Sequence, residues 1–168
     1  WSILQVPVGG HMLMPVCGVA TPRDYFDPTP TTEVQNAPGT FRLRIGSDSM
    51  FKVGLSPDQS FGRMAYVRPA GDQWLVLTRS FPVHADLHYC DAPLTDLTSQ
   101  GDTVQFFNDG GKFGHFGEME HRSPALLCGI GPQTYTEAVV TRVELLSESA
   151  YRAWESGFLG NSSVSSPL

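Results

Sequence analysis

Two glutamates, two histidines and an arginine crowd into one stretch, Gly114-His115-Phe116-Gly117-Glu118-Met119-Glu120-His121-Arg122-Ser123-Pro124. Read as a strand, it sends Phe116, Glu118, Glu120 and Arg122 to one face and His115, Met119 and His121 to the other. Carboxylates about 7 Å apart raise each other's pKa, and a guanidinium beside them supplies the compensating charge. Such a carboxylate is held ready to accept a proton. Phe116 on the same face is placed to stack on a sugar ring, and Gly114 and Gly117 permit close approach. The plainer reading of any Glu-x-Glu is the solvated face of an edge strand.

A second group is His84-Ala85-Asp86-Leu87-His88-Tyr89-Cys90. On a strand His84, Asp86, His88 and Cys90 share a face, and imidazole, carboxylate and thiolate are common transition-metal donors. Side chains at i and i+4 of a strand lie about 13 Å apart, however, too far for both histidines to reach one ion at about 2.1 Å. The segment therefore reads as a partly exposed polar face with sugar-binding members, and no metal is assigned. Nucleophile-elbow, Walker and dinucleotide fingerprints are absent. The three cysteines, Cys17, Cys90 and Cys128, form no CxxC pair and favour a reducing compartment.

The elements that must position these residues are strands. Helical periodicity is nearly absent, while short apolar or alternating runs recur between Gly, Pro, Asn and Asp. The pattern predicts an all-β sandwich with strands at 1–8, 12–17, 40–45, 61–68, 73–80, 85–90, 103–108, 113–121 and 134–146. Residues 19–38 hold Pro22, Pro28, Pro30 and Pro38 and are excluded from a central ladder, because proline donates no amide hydrogen. They read as a long surface excursion, and 54–60 and 109–112 as tighter connections. A short helix is predicted over 147–159, with Ser147 as N-cap, followed by a Ser-rich disordered tail at 160–168. Trp1, Trp74, Phe41, Phe106 and Phe107 lie in β-patterned runs and read as core.

With 168 residues, 40% of them hydrophobic and 17% charged, the chain has material for one real core. No apolar run approaches the length of a membrane span. A formal charge of −6 argues against a grip on nucleic-acid phosphates or anionic lipid. The partner expected is a small neutral molecule, and the sequence sets no oligomeric state. The chain opens on Trp1 within an apolar strand pattern, which reads as a fragment or processed chain.

Several stretches carry a family resemblance. Leu75-Val76-Leu77-Thr78-Arg79-Ser80-Phe81-Pro82 is followed by Leu87-His88-Tyr89, then by Phe116-Gly117-Glu118-Met119-Glu120 with Ser123-Pro124. Gly131-Pro132-Gln133-Thr134-Tyr135 then leads into a long final strand. Upstream stand Trp1-Ser2-Ile3-Leu4-Gln5-Val6, Met14-Pro15 and Lys52-Val53-Gly54-Leu55-Ser56. In this order residues 1–146 resemble the aldose 1-epimerase (galactose mutarotase-like) superfamily, and its uncharacterised members more than the true epimerases.

The resemblance implies the C-terminal portion of a β-supersandwich whose concave sheet holds a sugar. In the epimerases a glutamate removes the anomeric proton while a histidine protonates the ring oxygen. Glu120 falls at the position of that glutamate, with Glu118 the nearby alternative. Glu118, Arg122, Phe116, His88 and Lys52 are the implied substrate-binding set. Two departures stand out. His121-Arg122 follows Glu120 where the family carries a Glu-Pro-Gln-type sequence, and the acid histidine lies in an earlier part that this chain does not contain. His11, His84 and His115 are equal substitutes as far as spacing goes. The implied function is thus a carbohydrate-binding, aldose 1-epimerase-like protein interconverting sugar anomers, or else a non-catalytic carbohydrate-binding or structural sandwich. No cofactor is expected in either case.

Overall fold

A computed structural model describes residues 1–46, 48–92, 99–126 and 134–160. The strands are β1 (Ser2–Pro7), β2 (Gly10–Pro15), β3 (Arg23–Asp24), β4 (Val34–Ala37), β5 (Thr40–Ile45), β6 (Phe51–Leu55), β7 (Arg63–Ala70), β8 (Gln73–Ser80), β9 (Val104–Asn108), β10 (Phe116–His121) and β11 (Val140–Ser147). One helix, α1 (Glu148–Gly160), follows them. They form two antiparallel sheets, one of five strands in the order β1-β10-β9-β6-β3 and one of six in the order β11-β8-β7-β2-β5-β4. The all-β sandwich with a terminal helix thus matches the pattern read from the chain.

Alternation explains the packing. Phe51, Val53 and Leu55 of β6, Val104 and Phe106 of β9 and Met119 of β10 turn inward to meet Met12 and Met14 of β2, Phe41, Leu43 and Ile45 of β5 and Met64 and Tyr66 of β7. Each large apolar side chain so buried contributes about 1.5–3 kcal/mol, which makes this inter-sheet layer the main source of stability. A second layer lies on the back of the six-stranded sheet. There Leu13, Ala65, Val67 and Val76 meet Tyr151, with Trp74, Leu146, Trp154 and Phe158 packed around them. Tyr151, Trp154 and Phe158 recur at the spacing of one helical face, and the ring of Tyr151 stacks on Trp74 at 4.1 Å between centroids. Ser147 Oγ accepts a hydrogen bond from the Ala150 amide at 3.3 Å, the N-cap expected of it.

Four expectations need correction. The strand expected at 85–90 is a turn and loop, with only a single bridge between Tyr89 and Pro124, so His84, Asp86, His88 and Cys90 share no strand face. β6, overlooked, alternates plainly, but its Gly54 and the nearby Pro57 read as loop punctuation. The excursion at 19–38 is not wholly irregular, because it supplies β3 at the edge of one sheet and β4 at the edge of the other. Edges are where proline-rich chain is tolerated. Of the aromatics assigned to the core, Phe41 and Phe106 are buried between the sheets, whereas Trp1 and Phe107 lie on the outer face of the five-stranded sheet and Trp74 under α1. Part of the family resemblance (131–133), Cys128 and the tail from 161 onward lie outside the described residues. No helix among the described residues is long and apolar enough to cross a membrane.

Gly54 shows how tightly the outer face is packed. A Cβ there would overlap the Asp102 carboxylate and stand 2.7 Å from Tyr25 Cε2. We expect Gly54→Ala to cost about 1–3 kcal/mol through overpacking. Gly157→Ala, where a Cβ meets nothing within 4 Å on the helix surface, should instead stabilise by about 0.5–1 kcal/mol. Urea unfolding of both variants checks the pair.

Candidate functional site

The outer face of the five-stranded sheet carries the polar residues, because the inward positions of the same strands are apolar. Strand register sets them in rows. Ile3, Glu120, Gln105, Gly54 and Arg23 stand in one row across the sheet, and Gln5, Glu118, Phe107 and Lys52 in the next. Tyr25 continues that second row, its amide donating to the Lys52 carbonyl at 2.9 Å.

Glu120 is the centre. It is 0% exposed although it sits on the outer face, because Trp1 and its polar neighbours cover it. Oε2 accepts from Trp1 Nε1 at 2.8 Å, from Lys52 Nζ at 3.1 Å and from Arg122 Nη2 at 3.5 Å. Oε1 lies 2.8 Å from Lys52 Nζ, an ion-pair contact off the hydrogen-bonding axis. Such burial of a carboxylate is tolerated only with cations in contact, since an unpaired buried charge costs several kcal/mol.

Arg122 extends the group. Its guanidinium lies 4.1 Å from the centre of the Trp1 ring and 2.6 Å from Asp91 Oδ2, and it donates to Gln105 Oε1 at 3.3 Å. Gln105 Nε2 donates at 2.8 Å both to Asp91 Oδ2 and to the Tyr25 hydroxyl. Tyr25 in turn donates to Asp102 Oδ2 at 2.7 Å, and Arg23 pairs with the same carboxylate. Burial, and then the charge of Asp102, hold the Tyr25 phenol protonated far above its usual range. Burial also raises Asp102, against the lowering effect of Arg23 and Tyr25. A continuous layer of hydrogen-bonded polar side chains thus runs from Trp1 to Arg23.

Beside it is an aromatic ridge. Phe26 meets Phe107 edge to face at 6.4 Å, and Phe107 tilts against Phe116 at 6.1 Å. Phe26 is exposed, and Phe107 and Phe116 are half-buried. Glu118, half-buried, accepts from Gln5 Nε2 at 3.1 Å.

The fold therefore brings together Glu120, Lys52 and Arg122, with Glu118 and Phe116 in neighbouring positions on one face. Arg122 lies beyond the end of β10 yet still reaches Glu120. The mutual Glu118–Glu120 coupling expected from the sequence gives way to separate partners, Gln5 for one and Lys52, Trp1 and Arg122 for the other. His88 does not join them. It is exposed in the 85–90 loop, and among the described residues its side chain makes no hydrogen bond or ion pair. Nor does any histidine among the described residues hydrogen-bond to Glu120, and the described residues hold no group of three metal donors.

Sequence reasoning missed Trp1, Tyr25, Asp91, Asp102 and Gln105. Only Gln105 left a trace, as the lone polar residue between Val104 and Phe106 in a strand. It also missed a recess of about 280 Å³ lined by Ser2, His121, Tyr135 and Glu137 among others. His121 Nε2 is 2.8 Å from Glu137 Oε2, Tyr135 donates to Glu137 Oε1 at 3.0 Å, and Phe81 stacks on the imidazole at 4.3 Å. Burial, with Arg79 adding to it, keeps His121 below its ordinary value of 6.5 although Glu137 pulls the other way.

Two outcomes follow from these contacts. Lys52→Met or Glu120→Gln alone should cost about 3–5 kcal/mol by stranding the partner, and the Lys52→Met/Glu120→Gln double variant should cost less than the sum, as read by a denaturant double-mutant cycle. For His121 the folded chain resists a proton that the unfolded chain accepts, so its contribution is intact above pH 6.5 and is lost as pH falls below that value. The drop in thermal midpoint between pH 7 and pH 5.5 should accordingly be smaller in His121→Gln. Comparison with protein-family models, curated proteins and solved structures found no match for this chain.

Proposed function

We propose that this chain is a carbohydrate-binding β-sandwich of the mutarotase-like kind and that the outer face of its five-stranded sheet holds the sugar. One observation carries the reading. An aromatic ridge, Phe26, Phe107 and Phe116, adjoins a dense polar layer of Glu118, Lys52, Arg122 and Glu120 on the same face. Sugars present one apolar face of C–H bonds and a rim of hydroxyls, so a recognition surface needs both an aromatic platform and fixed donors and acceptors. The position of Glu120 in the family resemblance supports the same face.

Within this reading Glu120 organises donors rather than removing a proton. Its oxygens are already engaged by Lys52, Trp1 and Arg122, and no histidine among the described residues hydrogen-bonds to it as the acid partner. The more accessible Glu118 and the phenyl ridge are the groups that meet ligand.

Titration with mono- and oligosaccharides, followed by backbone amide NMR shifts, tests the proposal. Shifts should map to β9 and β10, and Phe116→Ala and Glu118→Gln should each weaken binding about tenfold, a loss of about 1.4 kcal/mol. Shifts confined to the helix side, or none with any sugar, would remove the reading. Accelerated exchange of glucose or galactose anomers, lost in a folded Glu120→Gln variant, would instead favour an epimerase with Glu120 as the base.

A further inference from the structure

Of the two edge strands of the six-stranded sheet, β11 is the longer, and among the described residues its outer edge has no strand partner. Among the described residues, β11 pairs with β8 on one side only, through eight residues from Val140 to Ser147. Natural edge strands are usually kept short, bulged, covered, or guarded by proline or charged side chains. β11 is eight residues long, contains no proline and is paired with β8 without interruption, and its two charged residues, Arg142 and Glu144, are of opposite sign. Along it Val143 is 63% exposed, Leu145 57% and Val140 50%.

We propose that β11 is the contact through which two copies of this chain associate, in an antiparallel strand pair about a twofold axis. The choice of a second copy rests on charge complementarity within the strand. A twofold axis relating two antiparallel edge strands stands normal to the sheet, so each residue faces one of like parity. Alternation then allows few central registers.

Centring on Val143 sets Arg142 opposite Glu144 of the other copy, and Glu144 opposite Arg142. On the same side of the sheet it also pairs Val140 with Leu146. On the other side Val143 meets its own equivalent and Thr141 meets Leu145. Centring one residue earlier places Arg142 against itself, and one residue later places Glu144 against itself. Only the Val143 register pairs opposite charges and buries apolar residues together, and each cross-strand pair of this kind adds roughly 0.2–1 kcal/mol.

The result is one continuous sheet of twelve strands, six from each copy. The exposed Val143 and Leu145 of the two copies form a single patch at its centre. The contact is isologous, so it closes at two copies and does not propagate. The sugar-binding face proposed above lies on the other sheet, so the association stands independently of that reading.

Charge reversal tests it. Sedimentation velocity on the full chain over a concentration series should show a monomer–dimer equilibrium. Arg142→Glu alone, and Glu144→Arg alone, each set like charges opposite one another twice and should weaken dimerisation by about tenfold or more. The double variant Arg142→Glu/Glu144→Arg should restore the wild-type constant. An equimolar mixture of the two single variants should form a heterodimer more tightly than either variant self-associates. Because both recoveries reverse the charge effect, misfolding of one variant would not imitate them. A wild-type chain that stays monomeric throughout, or a dimer indifferent to these reversals, would overturn the proposal.

Discussion

A carboxylate shut away from water on the outside of a sheet is the constraint around which this molecule is arranged. Glu120 projects from β10 away from the inter-sheet core, yet no solvent reaches it. The charge has to be answered by the protein, and two of the three answers come from distant parts of the chain. Lys52 arrives from β6, Arg122 from just beyond β10 and Trp1 from the residue before β1. The hydrogen bonds of Arg122 and Gln105 then tie Asp91, Tyr25 and Asp102 into the same layer. The close approach at Gly54 belongs to the same demand, since Asp102 and Tyr25 occupy the space that a Cβ would fill.

The inter-sheet core and this polar layer impose opposite requirements on the same strands. β6 offers Phe51, Val53 and Leu55 to one side and Lys52 and Gly54 to the other. β9 does the same with Val104 and Phe106 against Gln105 and Phe107. Because strand periodicity is two, a slip of one residue in register would drive lysine and glutamate into the core and methionine and phenylalanine out of it. The two faces therefore fix register together, and the polar face contributes to specifying the fold as well as to any recognition it performs.

The strand rhythm was legible because alternation is local: β5 and β8 begin and end where the pattern places them, and α1 is announced by Ser147 as its N-cap. The 85–90 segment misled because alternation of polar and apolar residues occurs in turns as well, and nothing local distinguishes a strand with a partner from a stretch without one. The site was legible only in part. Glu118, Glu120 and Phe116 announce themselves on one strand, but the pairing of Glu120 with Lys52 spans 68 residues and follows from sheet order, which no local pattern encodes. Trp1 was misplaced for a related reason. An indole in an apolar run is most economically core, and here it lies against a guanidinium on the outside.

The distribution of the three tryptophans has a practical consequence. Trp1 covers the carboxylate on one outer surface, and Trp74 and Trp154 stack with Tyr151 on the opposite one, so no indole lies between the sheets. Tryptophan fluorescence of this protein reports on its two outer skins, with no indole in the layer that contributes most of its stability. Detachment of α1 would change the emission while the sandwich stayed whole, and an optical melting curve would then record the peeling of the helix ahead of the collapse of the fold.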